Sequence, residues 1–388
     1  MEENNAKKEE PKKTLLDMNA SWPLMFVYIG YLIGMFYVQK TTYTHLSSNI
    51  NTYAYVFVSL IVGLLSSLLI YNLGKLVFAS LAGYRVSYVY LLGFCFDHSG
   101  KKKRVTFDIA DFFDLRLQFV PKDDDIKKKP TLIFVGGYVF SLIFIAIFLT
   151  LFFVLAFKHD GTSNATIGWG AFMAGIYGLI IPLYELMPFR QDSANDMYNL
   201  LVTRSEDDKT AFNIVKVNEK REFSGEDFLI PSFNDYCSYY KAQTLYYSYL
   251  NCLYSNELEK AVSVLDEMKR LNIYLPEEDH YLSASESIYL RYLIDDTAGA
   301  DKLYLTMKGD DKKAVTSPKD LANYRTALLV LGNITSDKEG ITSLINDYNK
   351  KIASLTKSNR VVKEDAFFKQ AYEKLRTNKP NLNLKDLK

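Results

Sequence analysis

The chain has 388 residues, with Lys+Arg 46 against Asp+Glu 45 and a formal net charge of +1. That balance excludes a bulk cationic nucleic-acid binder and an acidic disordered tail, so no nucleic-acid partner is expected. The scattered cysteines (Cys95, Cys237, Cys252) and histidines (His45, His98, His159, His280) exclude a disulfide framework and a local metal knuckle.

A polar head over residues 1–21 carries Lys7, Lys8, Lys12 and Lys13. Four stretches then follow that are long and apolar enough to cross a bilayer, which takes about 20 residues. They are 22–39, about 53–83 with Lys75 as its only charge, 131–157, and 166–187 charged only at Glu185. The first lacks a small-residue cleavage site and reads as a retained span rather than a removed signal peptide. Lys and Arg concentrate in the head and in the loop 84–130, whereas the loops around His45 and His159 hold almost none. The asymmetry predicts a multi-pass protein of the cell (cytoplasmic) membrane with both termini in the cytoplasm.

Within the loop, 86–94 (VSYVYLLGF) and 104–109 (RVTFDI) are rich in β-formers and flank His98-Ser99-Gly100-Lys101. They predict a small membrane-associated β-hairpin. The basic run 101–104 either sits among anionic headgroups or only sets orientation.

Residues 71–94 read YNLGKLVFASLAGYRVSYVYLLGF. They resemble the zinc-site helix of the site-2 protease (M50) family, followed by a Gly-aromatic-basic turn and a membrane-associated sheet. The first His position of that HExxH motif is Tyr71, the Glu position is Asn72 and the second His position is Lys75; Leu73-Gly74 survives. Gly136-Gly137 fits the family's glycine pair, with Ser141 in place of the Asn that follows. Met187-Pro188-Phe189-Arg190 and Asn195-Asp196-Met197 resemble the proline segment and the Asp-Gly motif, so Asp196 stands where the third zinc ligand would. The resemblance spans about residues 53–203 and implies an intramembrane metalloprotease fold with a degenerate zinc site.

A catalytic zinc takes about three protein ligands and an open position. Tyr, Lys and Asp are a poor set, because an ammonium repels zinc and a neutral phenol binds it weakly. Asn72 cannot act as a general base. No metal, no cofactor and no catalytic residue is therefore expected. Lys75 either snorkels to the headgroups or forms an ion pair with Asp196, with Tyr71 and Asn72 as hydrogen-bonding neighbours. Tyr71 and Asn72 also read as plain helix–helix contacts, and Glu185 as solvated near the interface.

From Ser205 the pattern is helical: 235–255, 257–272, 276–294, 301–307, 319–331 and 338–355. Short polar turns predict antiparallel hairpins. The first pair loosely resembles a tetratricopeptide (TPR) unit, with Ala261 and Leu265 on the inner face, although no clean period repeats. The Tyr clusters 239–240 and 246–249 read as core and rim of a bundle, or as the lining of a peptide groove. The expected organisation is a cytoplasmic head (1–21), a four-span site-2-protease-like membrane domain (22–204), an all-α TPR-like cytoplasmic domain (205–378) and a loose tail (379–388).

The expected function is that of a pseudoprotease, with the bilayer as its medium, that binds or presents a transmembrane or secreted peptide or regulates a membrane protein partner. The alternatives are a residual or altered zinc metalloprotease, and a passive membrane anchor for a helical protein-binding domain.

Overall fold

The computed structural model describes residues 21–45, 51–91, 93–98, 104–107, 117–156, 163–188, 190, 194–224, 226–275, 277–316, 318, 320–355 and 358–384. The polar head up to residue 20, the turn 99–101 and most of the basic run, Phe189, Pro276 and the last four residues of the tail lie outside them. The chain is mostly helical and carries one small antiparallel sheet. It divides into two compact units, one of residues 13–86 with 121–209, the other of 87–120 with 210–388.

The first unit contains α1 (Ser21–Tyr43) and α2 (Thr52–Leu81). After the sheet come α3 (Thr131–Ala156), α4 (Ser163–Gly178), α5 (Ile180–Leu186) and the short α6 (Asp196–Val202). Among the described residues, three helices are long and apolar enough to cross a membrane: Thr52–Leu81, Thr131–Ala156 and the combined Ser163–Leu186. Four were expected. The first expected span, 22–39, falls within α1 and is not one of these three.

Small residues set how these helices approach. The buried face of α2 is Ser59, Gly63, Ser67, Tyr71, Gly74 and Ala79, spaced roughly one turn apart. Such a stripe of small residues lets helix backbones come close. A Cβ on Gly74 would collide with the Gly136 carbonyl oxygen, and one on Gly136 would fall 2.5 Å from the Gly74 oxygen. That reciprocal fit fixes the crossing of α2 and α3. Gly63 abuts the Ala174 carbonyl of α4 in the same way. Phe144, Phe148, Ala171 and Ala174 form the core between α3 and α4. Pro182 cannot donate to the carbonyl one turn back, and the helix breaks between α4 and α5. Nearby, the Tyr31 hydroxyl of α1 donates to the Tyr177 carbonyl at 2.6 Å.

The sheet has the order β3-β2-β1-β4, built from β1 (Tyr84–Leu91), β2 (Phe94–Asp97), β3 (Arg104–Phe107) and β4 (Leu117–Pro121). The expected hairpin is thus corrected. Gly93, at φ +83°, turns the chain back, so 86–94 is two strands and Leu91 pairs with Phe94. A left-handed residue at a two-residue turn favours glycine. β2 then pairs with β3, Phe94 opposite Phe107 and Asp97 opposite Arg104. Of the expected second strand, residues 108–109 lie outside the described set.

The second unit groups residues 87–120 with the helices, unlike the expected division at 204/205. Within this unit the Tyr88 ring packs 6.4 Å from Phe223, and Arg104 donates to the Ser354 carbonyl at 3.3 Å. Its helices are α7 (Glu206–Ser224), α8 (Tyr239–Tyr254), α9 (Leu258–Arg270), α10 (Glu277–Leu293), α11 (Thr297–Thr306), α12 (Gly309–Thr316), α13 (Leu321–Val330), α14 (Lys338–Ser354) and α15 (Asn359–Asn378). Tight turns join them. Asn256 and Asp295 take left-handed backbone at φ 58° and 64°, a conformation short polar side chains tolerate. Asp296 then caps α11 by accepting from the Gly299 N–H at 2.9 Å. Ala261 and Leu265 are buried as expected. The helices α12 and α15 were not anticipated. The tail was expected to be loose, yet Pro380–Leu382 forms a 3-10 turn and Leu382 is buried.

Candidate functional site

Tyr71 and Lys75 lie one turn apart on α2 and share a face. Both reach Asp196 at the start of α6. Lys75 Nζ lies 2.9 Å from Asp196 Oδ1, and the Tyr71 hydroxyl donates to Oδ2 at 2.7 Å. Asp196 is 3% exposed. Gly137 makes the approach possible, because a Cβ there would overlap the Tyr71 ring. Tyr138 meets that ring edge-on, with centroids 5.9 Å apart.

The backbone of Asp196 is fixed as tightly as its side chain. The Asn195 side chain caps α6 by accepting from the Tyr198 N–H at 3.0 Å, and donates to the Met187 carbonyl at 2.5 Å. Glu185, expected to be solvated, instead accepts from the Asp196 N–H through Oε2 at 2.8 Å. The Tyr138 hydroxyl donates to the Glu185 carbonyl at 2.5 Å. The cluster thus holds one ammonium, two carboxyl groups and two phenols, supplied by α2, α3, α5 and α6.

Two of the expected positions stand apart from it. Asn72 donates to the Leu68 carbonyl of its own helix at 3.0 Å, and Ser141 donates to the Gly137 carbonyl at 3.0 Å. Both satisfy a polar side chain locally by bonding one turn back. Asn72 is therefore not a neighbour of the pair, contrary to expectation.

The donor set does not fit a zinc ion. Both oxygens of Asp196 are engaged, one by a cation and one by a neutral hydroxyl, and the remaining positions offer no imidazole or thiolate. Zinc would have to displace the ammonium from its counter-ion.

A second polar centre went unnoticed in the sequence. Arg325 on α13 is 0% exposed and bridges Glu286 on α10, at 2.7 Å, and Glu364 on α15, at 2.5 Å. Its guanidinium lies 4.1 Å from the Tyr289 ring centroid, and the Tyr249 hydroxyl donates to Glu286. Arg325 Nε, Glu364 Oε1 and the hydroxyls of Tyr254 and Tyr289 are buried without a hydrogen-bond partner in the protein. Beside this triad Arg360 reaches Asp320 at 2.9 Å and Glu222 at 3.7 Å. Burial pushes the carboxyls of Glu286 and Glu364 upward against the pull of Arg325, and that of Glu222 to about 7 against Arg360. The only signal in the sequence was an arginine in the largely apolar run LANYRTALLV.

No family model matches the chain, and neither a curated protein nor a solved structure matches it.

Proposed function

We propose that the chain is a membrane-embedded, catalytically inactive site-2-protease-like protein. In this reading it binds or presents a transmembrane or secreted peptide, or regulates a membrane partner. One observation carries it: Tyr71, Lys75 and Asp196, the positions the resemblance assigns to the metal, converge on a single carboxylate. An ion pair there preserves the tie between α2 and α6 that a metal would make, and Asn72, at the position of the motif's Glu, cannot accept a proton as a general base.

The surroundings support a bilayer. Large apolar side chains point outward from the helices, with Phe36 71%, Leu142 68% and Phe57 62% exposed. A contiguous apolar exterior of this kind is stable in lipid and unfavourable in water. The α1 helix carries the same outward apolar face, with Phe26 65% and Ile33 65% exposed, so a four-span arrangement with both termini in the cytoplasm remains our reading. The apolar face of the sheet, with Val105 59% and Phe107 55% exposed, suits contact with the headgroup region. The hairpins α8–α9 and α10–α11 suit a TPR-like protein-binding domain.

The test is site-specific photocrosslinking in membranes from α2 at Leu73, which is half exposed on the outward face of the helix that carries Tyr71 and Lys75. The expected product joins the protein to an intact membrane or secreted polypeptide. A cleaved partner, with cleavage lost on Asp196→Ala, and lost on chelation of the wild type but restored by zinc, would establish a protease instead. Capture by residues 210–388 alone, with none from Leu73, would reduce the membrane unit to an anchor.

A further inference from the structure

Residues 226–238, between α7 and α8, carry no helix or strand, yet they are held in place along the helical unit. A stretch of that length without secondary structure is uncommon in a compact unit and usually functional. What holds it is peptide recognition by side chains. Asn218 on α7 is 0% exposed, and its amide reads both backbone groups of one residue. It accepts from the Leu229 N–H at 2.8 Å and donates to the Leu229 carbonyl at 2.9 Å. One turn along the same face, Arg221 donates to the Asp227 carbonyl at 2.5 Å and lies 3.5 Å from the Glu226 carboxylate. Between these two anchors the Phe228 ring packs 5.3 Å from Tyr247 and 6.1 Å from Tyr254 on α8. Further on, Lys241 lies 3.6 Å from Asp235 and 5.9 Å from the Phe233 ring centroid.

These contacts define a groove with a backbone clamp, an aromatic shelf and two cations. Side-chain-to-backbone recognition is blind to sequence at Leu229, so any extended chain can use the clamp. Specificity comes from Phe228 and from acidic residues facing Arg221 and Lys241. The segment itself remains shallow, with Glu226, Asp227, Ser232, Asn234 and Asp235 exposed and Ile230 46% exposed. Emptying the groove would leave the buried Asn218 amide unsatisfied, which is costly. Exchange of one extended chain for another avoids that cost.

We propose that residues 226–236 are a built-in pseudo-ligand, occupying a peptide groove of α7 and α8 that takes an extended acidic–aromatic segment of a partner protein. The groove lies wholly within the helical unit, so its behaviour is separate from that of the membrane site. Displacement of the cis segment makes binding competitive. A tethered competitor acts at an effective concentration of the order of millimolar. The partner must therefore bind tightly or be presented locally.

The experiment uses the solubilised full chain and a fluorescein-labelled peptide, EDFLIPSFNDY, copied from residues 226–236. In one variant, residues 226–236 are replaced by a Gly/Ser linker of equal length. The linker variant is expected to keep its helical circular dichroism and to bind the peptide about tenfold or more tightly than the wild type. Asn218→Ala in that background, and Phe228→Ala in the peptide, should each weaken binding about tenfold. A linker variant that unfolds shows the segment to be core structure and overturns the proposal. So does a folded variant that binds no peptide, or a wild type that binds equally well. Hydrogen exchange on the unaltered chain provides a second reading. The Leu229 amide should exchange faster than the α8 amides, and exchange only on global unfolding contradicts a displaceable segment. A dimer in which two copies exchange this segment would assign the groove to a second copy rather than to a partner.

Discussion

Lys75 Nζ lies 2.9 Å from Asp196 Oδ1, joining the last third of an apolar helix to the first residue of a short one. Tyr71 takes up the other carboxylate oxygen, so neither charge is left without a partner. The pair is specific in geometry rather than strongly stabilising in itself, because desolvating two charges offsets most of their attraction. Its importance lies in the cost of breaking one side.

Lys75→Met should leave a buried carboxylate uncompensated and destabilise the first unit by about 3–5 kcal/mol. Lys75→Met with Asp196→Asn should recover much of that loss, since no lone charge remains. Tyr71→Phe should cost less, about 1–3 kcal/mol, for one unsatisfied oxygen. Unfolding in detergent, followed as a double-mutant cycle, gives these numbers. A double variant no more stable than Lys75→Met would mean that the pair is incidental.

The helix crossing yields a second prediction. Gly74→Ala and Gly136→Ala each place a methyl group against the facing backbone, which cannot rotate away. Each should destabilise by about 1–3 kcal/mol. Gly30→Ala and Gly34→Ala are the controls, because a Cβ at either meets nothing within 4 Å. Equal thermal midpoints for all four variants would refute the close approach.

The apolar helices and the candidate pair were legible in the sequence for different reasons. Uncharged runs declare themselves through composition, and Lys75 and Asp196 stood at positions a known motif relates. Glu185 was misread because a carboxylate near a helix end looks solvated until the chain folds back and brings the Asp196 N–H to it. The sheet was half legible: β-forming residues marked β1, β3 and the first residue of β2, but only the left-handed backbone at Gly93 separates β1 from β2. β4 gave no signal in a polar loop. Arg325 was hidden because its partners Glu286 and Glu364 lie on distant helices, and no local spacing connects them.

Arg325 should be the least replaceable residue of the helical unit. Arg325→Met leaves Glu286 and Glu364 facing each other without a cation, and should cost about 3–5 kcal/mol or more. Arg325→Lys should fare little better, since one ammonium cannot reproduce the fork that bridges two carboxylates. Combining Arg325→Met with Glu286→Gln and Glu364→Gln should restore part of the stability. Denaturant midpoints decide the matter, and a single Met variant as stable as the parent would show the triad to be solvated.

The same polar centre should make the stability of the helical unit fall as pH rises. Arg325 and Arg360 face four carboxyl groups, Glu286, Glu364, Glu222 and Asp320, so full ionisation leaves an excess of buried negative charge. Burial raises Glu222 to about 7, above its ordinary value, with Arg360 opposing and Glu219 and Asp320 adding to the rise. A carboxyl group raised in the folded state binds its proton more tightly there than in the unfolded chain. Its contribution is fully present below about pH 4.3 and is lost as the pH climbs through about 7. Glu286 and Glu364 act in the same direction. Asp320 is shifted downward by Arg360, and its opposite contribution is lost only as pH falls toward 4 and below. Between pH 5 and 8 the raised groups therefore govern the slope. Hydrogen exchange of the α8 and α15 amides, corrected for the intrinsic pH dependence of exchange, should report weaker protection at pH 8 than at pH 5.5. Glu222→Gln should flatten that trend. Protection that strengthens toward pH 8, or a slope unchanged in the variant, would remove Glu222 as a source of the effect.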